Sequence, residues 1–563
     1  MPAKRDVDVV IIGAGVNGAG LFRDLCEQGV DCLIVDKADF GSGASAAPSR
    51  LIHGGLKYLE TGEFRLVGQS TLERNLLLRN APHLVQPLPT LIPIFSWTQG
   101  IVAAMRTLLG SKTAPRSRGA LLIKIGLQIY DYYGARHRVM PRHAMLSRAR
   151  GLKAIPALTP AIVAVGTYYD AKVTMPERLV DELIADGLAA NPHSAAASYT
   201  RLQARDGGAL TFVGGREQAF TVNPRIVVNA AGPWIDQVNA DLGHNGKMIG
   251  GTKGSHILLR HEALVRSLAG RMIYFEADDG RICLVYDYLG LALVGSTDIP
   301  DDNPDGARCE ADEAAYLLES LSSLLPGLRF DRSQIVYSYA GIRPLPASDA
   351  SVPGLISRDH SSPTLAADAS RPFPIVAMVG GKWTTFRGFA EEVADALLRR
   401  LGRSRKVSTR SLPIGGGRDF PEDAATQSRW LGEVCAASGL GRDRLAALLR
   451  RYGTTAQAVA RHIAAFAGDA PLAHASAYSC GEIDYIARHE QVERLADIVM
   501  RRTSLAISGE LDRTDLEAIA TLAADALGWS DLRRVAEIEA TLRELSQRHG
   551  YRFAASAEGG SSA

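Results

Sequence analysis

Residues 8–36 read DVVIIGAGVNGAGLFRDLCEQGVDCLIVD, and this stretch decides the fold. Val9 to Ile12 is an apolar, β-branched run, as expected of a central parallel strand buried on both faces. Gly13-Ala-Gly15-Val-Asn17-Gly18 follows at once. Glycine suits these positions because the chain must turn tightly, let its backbone approach a pyrophosphate, and pack a helix closely on a strand. A helix from about Val16 to Glu27 then aims its N-terminal amides at the phosphates, and Gly29 stops it. Cys32 to Val35 is the next strand, ending at Asp36, whose carboxylate can accept from ribose hydroxyls. Strand, glycine turn, helix, strand and acid together predict a dinucleotide site. The fingerprint alone does not separate FAD from NAD, and it names no substrate.

Two later segments read as returns of the chain to the same sheet. RIVVN (225–229) is a strand followed by Ala230-Ala231-Gly232, a turn of small residues against which a cofactor can lie. PIVAMV (374–379) is another, followed by Gly380-Gly381-Lys382 and a helix through Leu398. A helix N-terminus there can stabilise negative charge on a reduced flavin ring. The residues between the returns are expected to form a substrate domain interleaved with the cofactor domain.

At 563 residues and ~150 residues per domain, the chain has room for about three to four domains. With 46% hydrophobic and 22% charged residues it can bury a large core, and a net charge of +2 argues against a general nucleic-acid binder. The six cysteines are scattered, with no CxxC and no metal spacing against histidine, so reduced thiols and no metal site are expected. MPAKRDVDVV runs straight into the first strand, which leaves no room for a signal peptide. No apolar run reaches the roughly 18 residues of a spanning helix.

The expected architecture is an α/β FAD-binding Rossmann-type domain interleaved with an α+β substrate domain, followed by an all-α C-terminal domain. The cofactor part covers about 1–60, 225–245 and 370–403, and the substrate part about 60–225 and 245–370. A Gly-, Pro- and charge-rich linker spans 404–427, and helical patterns such as DRLAALLRRYG and DLEAIATLAADALG fill 428–550 as a separate domain. The tail 551–563 is expected to be disordered.

SGASAAPSRLIHGGLKYLETGEFRLV (42–67) resembles a segment that wraps the flavin in the FAD-dependent glycerol-3-phosphate dehydrogenase family, which includes polyol-phosphate dehydrogenases such as erythritol-phosphate dehydrogenase. The likeness continues through NAPHLVQPLPTLIPI, VVNAAGPW, KGSH (253–256), GSTD (295–298), AGIRPL (340–345) and GGKWTTFRGFAEE (380–392), and reaches CGEIDYIARHE and RRTSLAI near the C-terminus. It implies an FAD enzyme that oxidises the secondary hydroxyl of a small phosphorylated polyol. Glycerol 3-phosphate leads and an erythritol phosphate follows. Electrons would pass to a membrane quinone, or to oxygen in an oxidase of the same fold. A non-catalytic flavin-binding scaffold is the reading from another class.

Such an oxidation needs a base for the hydroxyl proton and cations for an anionic substrate. His256 suits the base, because a neutral imidazole takes a proton near neutral pH; the alternative is a histidine that only orients a neighbour or the flavin. Arg343 is a planar fork suited to phosphate or a developing alkoxide. Lys382 can lie beside the flavin's anionic edge. By resemblance all three match positions around the family's substrate and isoalloxazine. His53 competes as the base, although Gly54-Gly55 beside it implies tight backbone packing and a flavin contact. Gly13, Gly15, Asn17, Gly18, Asp36, Ala230, Gly232 and Gly381 are expected to cradle the cofactor. Ser45, Ser49, Thr384 and Thr385 would donate to it, although each can instead be a helix cap. Lys57 and Tyr58 are assigned to the substrate. Lys57 stands where arginine is common in the family, and Asp36 where glutamate is usual. Lysine cannot keep a bidentate contact, which leaves the identity of the polyol open.

From Arg106 to Arg150 ten basic residues (Arg106, Lys112, Arg116, Arg118, Lys124, Arg136, Arg138, Arg142, Arg148, Arg150) face Asp131 alone, interleaved with PTLIPIFSW, GIVAAMRTLLG and ALLIKIGLQIYDYY. That pattern suits interfacial contact with anionic lipid, or a core helix pair with a solvated basic face. The expected location is cytoplasmic, on the inner face of the cytoplasmic membrane, with a homodimer left open.

Overall fold

A computed structural model describes residues 4–59, 62–99, 118–135, 139–215, 218–347 and 359–553. The fingerprint folds as read: strand Lys4–Ile12, helix Val16–Glu27 and strand Cys32–Val35. An eight-stranded sheet runs in the order Thr364–Leu365, Ile375–Ala377, Ala219–Asn229, Lys4–Ile12, Cys32–Val35, Ala195–Ala197, and a hairpin of Arg201–Asp206 and Ala209–Val213 continues from Ala219–Asn229. The five strands from Ile375 to Ala197 in that order are parallel. Val9 and Ile11 point into a core with Phe22, Leu179 and Phe389, whereas Val10 and Ile12 point to the opposite face with Leu210 and Phe212. Period-two alternation thus buries both faces of one strand, which is why the run is apolar throughout.

A second, ten-stranded mixed sheet carries Ile249–Leu259, Leu291–Gly295, Ile282–Tyr288, Met272–Glu276, Val85–Ile94 and Ala164–Val173, with Ile335–Pro346 paired antiparallel to Ile249–Leu259. The helical region includes Ala424–Ser438, Arg442–Tyr452, Ala456–Ala465, Cys480–His489, Arg513–Leu527 and Asp531–His549.

Three expectations need correction. The cofactor layer includes residues near 176–225, which the sequence reading placed in the substrate domain. Ala195–Ala197 pairs in parallel with Cys32–Val35, and helix Pro176–Ala190 packs so closely on the fingerprint helix that a Cβ on Gly187 would lie 2.8 Å from Phe22. Near the other boundary, Leu51–Ile52 belongs to the second sheet, paired with Ala171 and Lys172. The helical region is a C-terminal domain, as read, and it is docked on the second sheet. Tyr286, Tyr288, Tyr337 and Tyr339 of the second sheet share one core with Ile483, Leu495, Ile498, Leu516 and Leu545. Finally, the tail begins packed: Tyr551 is buried and its hydroxyl donates to Leu511 O at 2.7 Å. The remainder, 554–563, lies outside the described residues.

The segment 404–427 connects the two regions and is fastened along its length. A Cβ on Gly416 would meet Tyr452 O at 1.8 Å, and Arg405 pairs with Asp24 and Asp395. Helix Ala424–Ser438 starts inside it, its N-cap Asp423 accepting from Thr426 N at 2.8 Å.

Candidate active site

The sequence-assigned residues fall into three groups. At the fingerprint, Gly13 has φ +107°, and a Cβ there would lie 2.5 Å from Ala230 O; one on Gly18 would lie 1.9 Å from Gly13 O. Strand, turn and helix therefore meet at backbone distance, as close helix–strand packing requires. Ala230 closes the turn from the second strand, while Gly232 (φ +56°) faces open space. Ser45 Oγ accepts from Val16 N at 2.9 Å at the helix start. The Asp36 carboxylate accepts from Ala14 N at 2.7 Å and Ala38 N at 3.0 Å. Burial pushes its pKa up to about 6, against the pull of those two amides.

The second group surrounds Lys382. Its Nζ donates to Ser70 Oγ at 2.8 Å and sits 4.3 Å over the ring of Tyr58. A Cβ on Gly55 would come within 3.1 Å of that ammonium. The His53 amide donates to Thr384 Oγ1 at 3.1 Å, and the Gly54 amide to Asp170 Oδ1 at 3.0 Å and Tyr130 Oη at 2.9 Å. Arg74 completes this buried knot at 3.1 Å from Asp170. Asn17 Nδ2 reaches Gly380 O at 3.5 Å, its buried Oδ1 has no protein partner, and Gly381 (φ +91°) lies 3.3 Å from Asn17 by its would-be Cβ. Thr385 Oγ1 turns back to Lys382 O at 3.4 Å. A 3₁₀ turn, Trp383–Thr385, precedes helix Phe386–Arg400, so the helix begins four residues beyond Lys382.

The third group is His256 and Arg343, on neighbouring antiparallel strands in which Thr252 faces Arg343 and His256 faces Tyr339. His256 stacks on Tyr339 with ring centroids 4.9 Å apart, its Nε2 lies 2.8 Å from Ser49 Oγ, and its buried Nδ1 has no protein partner. Burial first, then the guanidiniums of Arg343 and Arg50, push its pKa down to about 3. Arg343 is held by Ser296 Oγ (2.9 Å), Thr297 O (3.2 Å) and Asp298 Oδ1 (3.0 Å). Glycines make the room: a Cβ on Gly295 would lie 2.1 Å from His256, and one on Gly254 2.1 Å from Arg343.

One segment ties these groups together. Ser49, at His256, lies four positions after Ser45, at the fingerprint helix. Trp383 Nε1 donates to Ser45 O at 3.0 Å and so joins the Lys382 turn to the same segment. Lys57 goes elsewhere. It lines a cavity of about 590 Å³ with Phe64, Phe95, Arg118 and Ile125, and Arg118 pairs there with Glu276 at 2.8 Å.

Several site residues carried no local sequence signal. Glu313 accepts from Ser255 Oγ and Thr297 Oγ1, both at 2.8 Å, and pairs with Lys253 at 2.9 Å, so it braces the strand of His256 and the loop of residues 296–298 that holds Arg343. Tyr339 and Asp170 were equally silent. GSTD, quoted above for its likeness, was the one signal for the cradle of Arg343. Of the basic run, Arg106, Lys112, Arg116, Arg136 and Arg138 lie outside the described residues. Among the described residues no group of histidines, cysteines and acids could hold a metal, and no helix is long and apolar enough to cross a membrane.

Comparison with known proteins gives a family. Residues 8–395 match the FAD dependent oxidoreductase family, and 407–534 match the C-terminal domain of alpha-glycerophosphate oxidase. A glycerol-3-phosphate dehydrogenase of Synechocystis sp. is 31% identical over 550 residues, 93% of each chain. The aerobic glycerol-3-phosphate dehydrogenase of Bacillus subtilis is 26% identical over 94% of this chain and 92% of its own. The crystal structure of a glycerol-3-phosphate dehydrogenase from Bacillus halodurans complexed with FAD superimposes with a TM-score of 0.74, covering 97% of this chain and 96% of its own at 22% identity.

Proposed function

Because this chain belongs to the FAD-dependent glycerol-3-phosphate dehydrogenase family, we propose that it oxidises the secondary hydroxyl of sn-glycerol 3-phosphate to dihydroxyacetone phosphate. It is an FAD-dependent oxidoreductase, and its residues fit that cofactor. The Asp36 carboxylate, the open space over Gly232 and the unpartnered Asn17 Oδ1 leave polar groups and room that a dinucleotide would use. Gly13, Gly15, Gly18, Asp36 and Ser45 would hold the ADP part, and the Lys382–Tyr58 group the ring. Bound FAD supplies the two-electron acceptor for the carbinol hydrogen.

The carrying observation is that His256 meets Ser49 at 2.8 Å, under the electrostatic influence of Arg343 on the neighbouring strand, and that Ser49 lies four positions along the chain from Ser45 at the start of the fingerprint helix. Arg343 is clamped on its loop side and binds the phosphate dianion. His256 takes the hydroxyl proton. Burial is the main cause of its low pKa and Arg343 the second, so a dianion on Arg343 cancels that second contribution and raises the basicity of the imidazole when substrate arrives. Ser49 orients Nε2, and Tyr339 fixes the ring plane.

A quinone is the proposed acceptor, reached at a peripheral membrane surface on the inner face of the cytoplasmic membrane. Exposed Phe64, Phe95, Trp97, Leu121 and Ile125 support this, around the cavity that Lys57 and Arg118 line. Anaerobic mixing with sn-glycerol 3-phosphate should bleach the flavin absorbance. An erythritol phosphate bleaching it faster would transfer the assignment to that substrate, and no bleaching by either would end it. Peroxide formation matching turnover in air would replace quinone by oxygen, and failure to float with anionic liposomes at low salt would remove the membrane.

A further inference from the structure

The helical C-terminal region reaches the cofactor site through one buried contact that the mechanism does not use. Asp39 lies three residues after the ribose-binding Asp36 and is fully buried. Arg502 grips both its oxygens, with Nη1 to Oδ2 at 2.8 Å and Nη2 to Oδ1 at 3.0 Å. Arg501 adds Nε to Oδ2 at 2.6 Å and anchors its other side on Asp497 at 2.6 Å. Neighbouring side chains diverge by about 100° on an α-helix, so two successive arginines do not ordinarily meet one carboxylate. Here Ile498–Arg502 forms a π-helical turn, a distortion often found at functional positions. Arg502 also donates to Glu490 O at 3.0 Å and faces Asp181 at 3.6 Å, so it is the hub of a desolvated network.

What Asp39 holds is the cofactor loop. Its carbonyl accepts from Ser42 Oγ at 2.6 Å, and the Gly41 amide two residues on donates to Ala14 O at 2.9 Å, inside the glycine fingerprint. Beyond them the loop delivers Ser45 to the helix start. On the other side, Tyr199 N donates to Ala38 O at 3.0 Å and the Tyr199 hydroxyl donates to Asp497, so loop and π turn are linked twice. Asp39 stays ionised here: burial alone would protonate it, but Arg502 and Arg501 hold its pKa below the ordinary carboxylate value.

We infer that Arg501 and Arg502 are positioning residues for FAD: through Asp39 they fix the loop of residues 36–45, and the helical region thereby sets how tightly the cofactor is retained. The pair touches no reacting atom, so its loss acts on cofactor affinity before it acts on chemistry.

The test uses the full-length holoenzyme and reads FAD dissociation by recovery of free-flavin fluorescence on dilution. Arg502→Lys keeps the charge and loses the fork. It should weaken FAD retention tenfold or more, while kcat at saturating FAD stays within threefold of the parent. Arg178→Lys is the control. Arg178 makes an equally buried bidentate pair with Glu490 at 2.8 and 3.0 Å in the same network but does not touch the loop. It should lower the unfolding temperature and leave FAD retention within twofold. Equal loss of FAD in both variants, or unchanged retention in a folded Arg502→Lys protein, overturns the inference. Hydrogen–deuterium exchange on the parent needs no variant to fold. FAD should slow exchange at 497–503 as well as at 36–45, because coupling is reciprocal. Protection confined to 36–45 refutes it. A parent that takes up no FAD at all would instead refute the cofactor assignment.

Discussion

Asp36→Asn separates the structural and cofactor-binding duties of one carboxylate. Asp36 accepts from two backbone amides, Ala14 N at 2.7 Å and Ala38 N at 3.0 Å, and its remaining lone pairs are available to a ribose. Asparagine has one oxygen, so its NH₂ must face one of those amides. A buried N–H that loses its acceptor costs about 1–3 kcal/mol, but with and without FAD alike, so this loss falls on stability. The ribose contact is lost only in the complex. Replacing a charge-assisted bond by a neutral one weakens it by about half, or about 1–2 kcal/mol, which is a ~5–30-fold rise in the Kd for FAD. The pH dependence is a second signature. In the cofactor-free protein burial lifts the Asp36 pKa from 3.8 to about 6. Because this folded value is raised, ionised Asp36 subtracts from stability progressively as pH rises from 3.8 through 6. FAD binds the ionised form more tightly, so affinity should fall below pH 6 toward a level about 5–30-fold lower. Titration of apoprotein with FAD between pH 5 and 8, followed by flavin fluorescence, measures both effects. An Asp36→Asn variant with parental affinity at pH 7.5, or with the parental slope below pH 6, refutes the reasoning.

Three further outcomes follow from the geometry. Gly18→Ala puts a methyl 1.9 Å from Gly13 O, where only backbone can yield, so overpacking of about 1–3 kcal/mol or more and loss of bound flavin absorbance are expected; a yellow, parentally stable variant contradicts the turn geometry. His256, with its pKa depressed to about 3 by burial and by Arg343 and Arg50, should show no proton-NMR titration between pH 5 and 8 without substrate. Its stabilising effect is present above the unfolded value of about 6.5 and is lost as pH falls from there toward 3, so a midpoint between 5.5 and 7.5 speaks against the buried site. Glu73→Ala strands the buried Arg387, which it holds at 2.6 and 2.8 Å. Breaking such a pair costs about 3–5 kcal/mol, and Glu391 and Thr409 keep Arg387 at the lower end, so at about 2.1 cal/mol/K of unfolding entropy per residue over 563 residues unfolding should shift down by roughly 2–4 °C; a shift under one degree removes the pair as a stability element.

The cofactor end of this molecule was legible from local patterns in the chain. Strand, turn, helix and second strand lie within residues 8–36, and their bounds Val16–Glu27 and Cys32–Val35 emerge as read. Everything that specifies them is local: the two periodicities, glycine at positions where a Cβ would strike backbone, and an acid at a strand end. The returns at 225–229 and 374–379 were legible for the same reason, since each is a buried parallel strand followed by a glycine turn. The fit of the helical patterns was less complete. Helix Cys480–His489 ends before Gln491, which has φ +50°, and the following stretch runs into the π turn Ile498–Arg502. Tertiary contacts with Asp39 and Tyr199, not local propensity, hold that irregular backbone.

The reacting site and the reach of the C-terminal region depend on contacts between residues far apart in the chain. Ser49 and His256 are 207 residues apart, and Arg502 and Asp39 are 463 apart. No periodicity records which distant polar group will close a buried hydrogen bond. The same limit explains Lys57: its motif places it beside the flavin segment, yet from the 3₁₀ turn Leu56–Leu59 it lines the cavity with Phe64, Phe95 and Arg118. Local sequence sets the shape of each element, while burial of charge in a shared core chooses which elements meet, because an ion removed from water must find its partner wherever the chain has brought one.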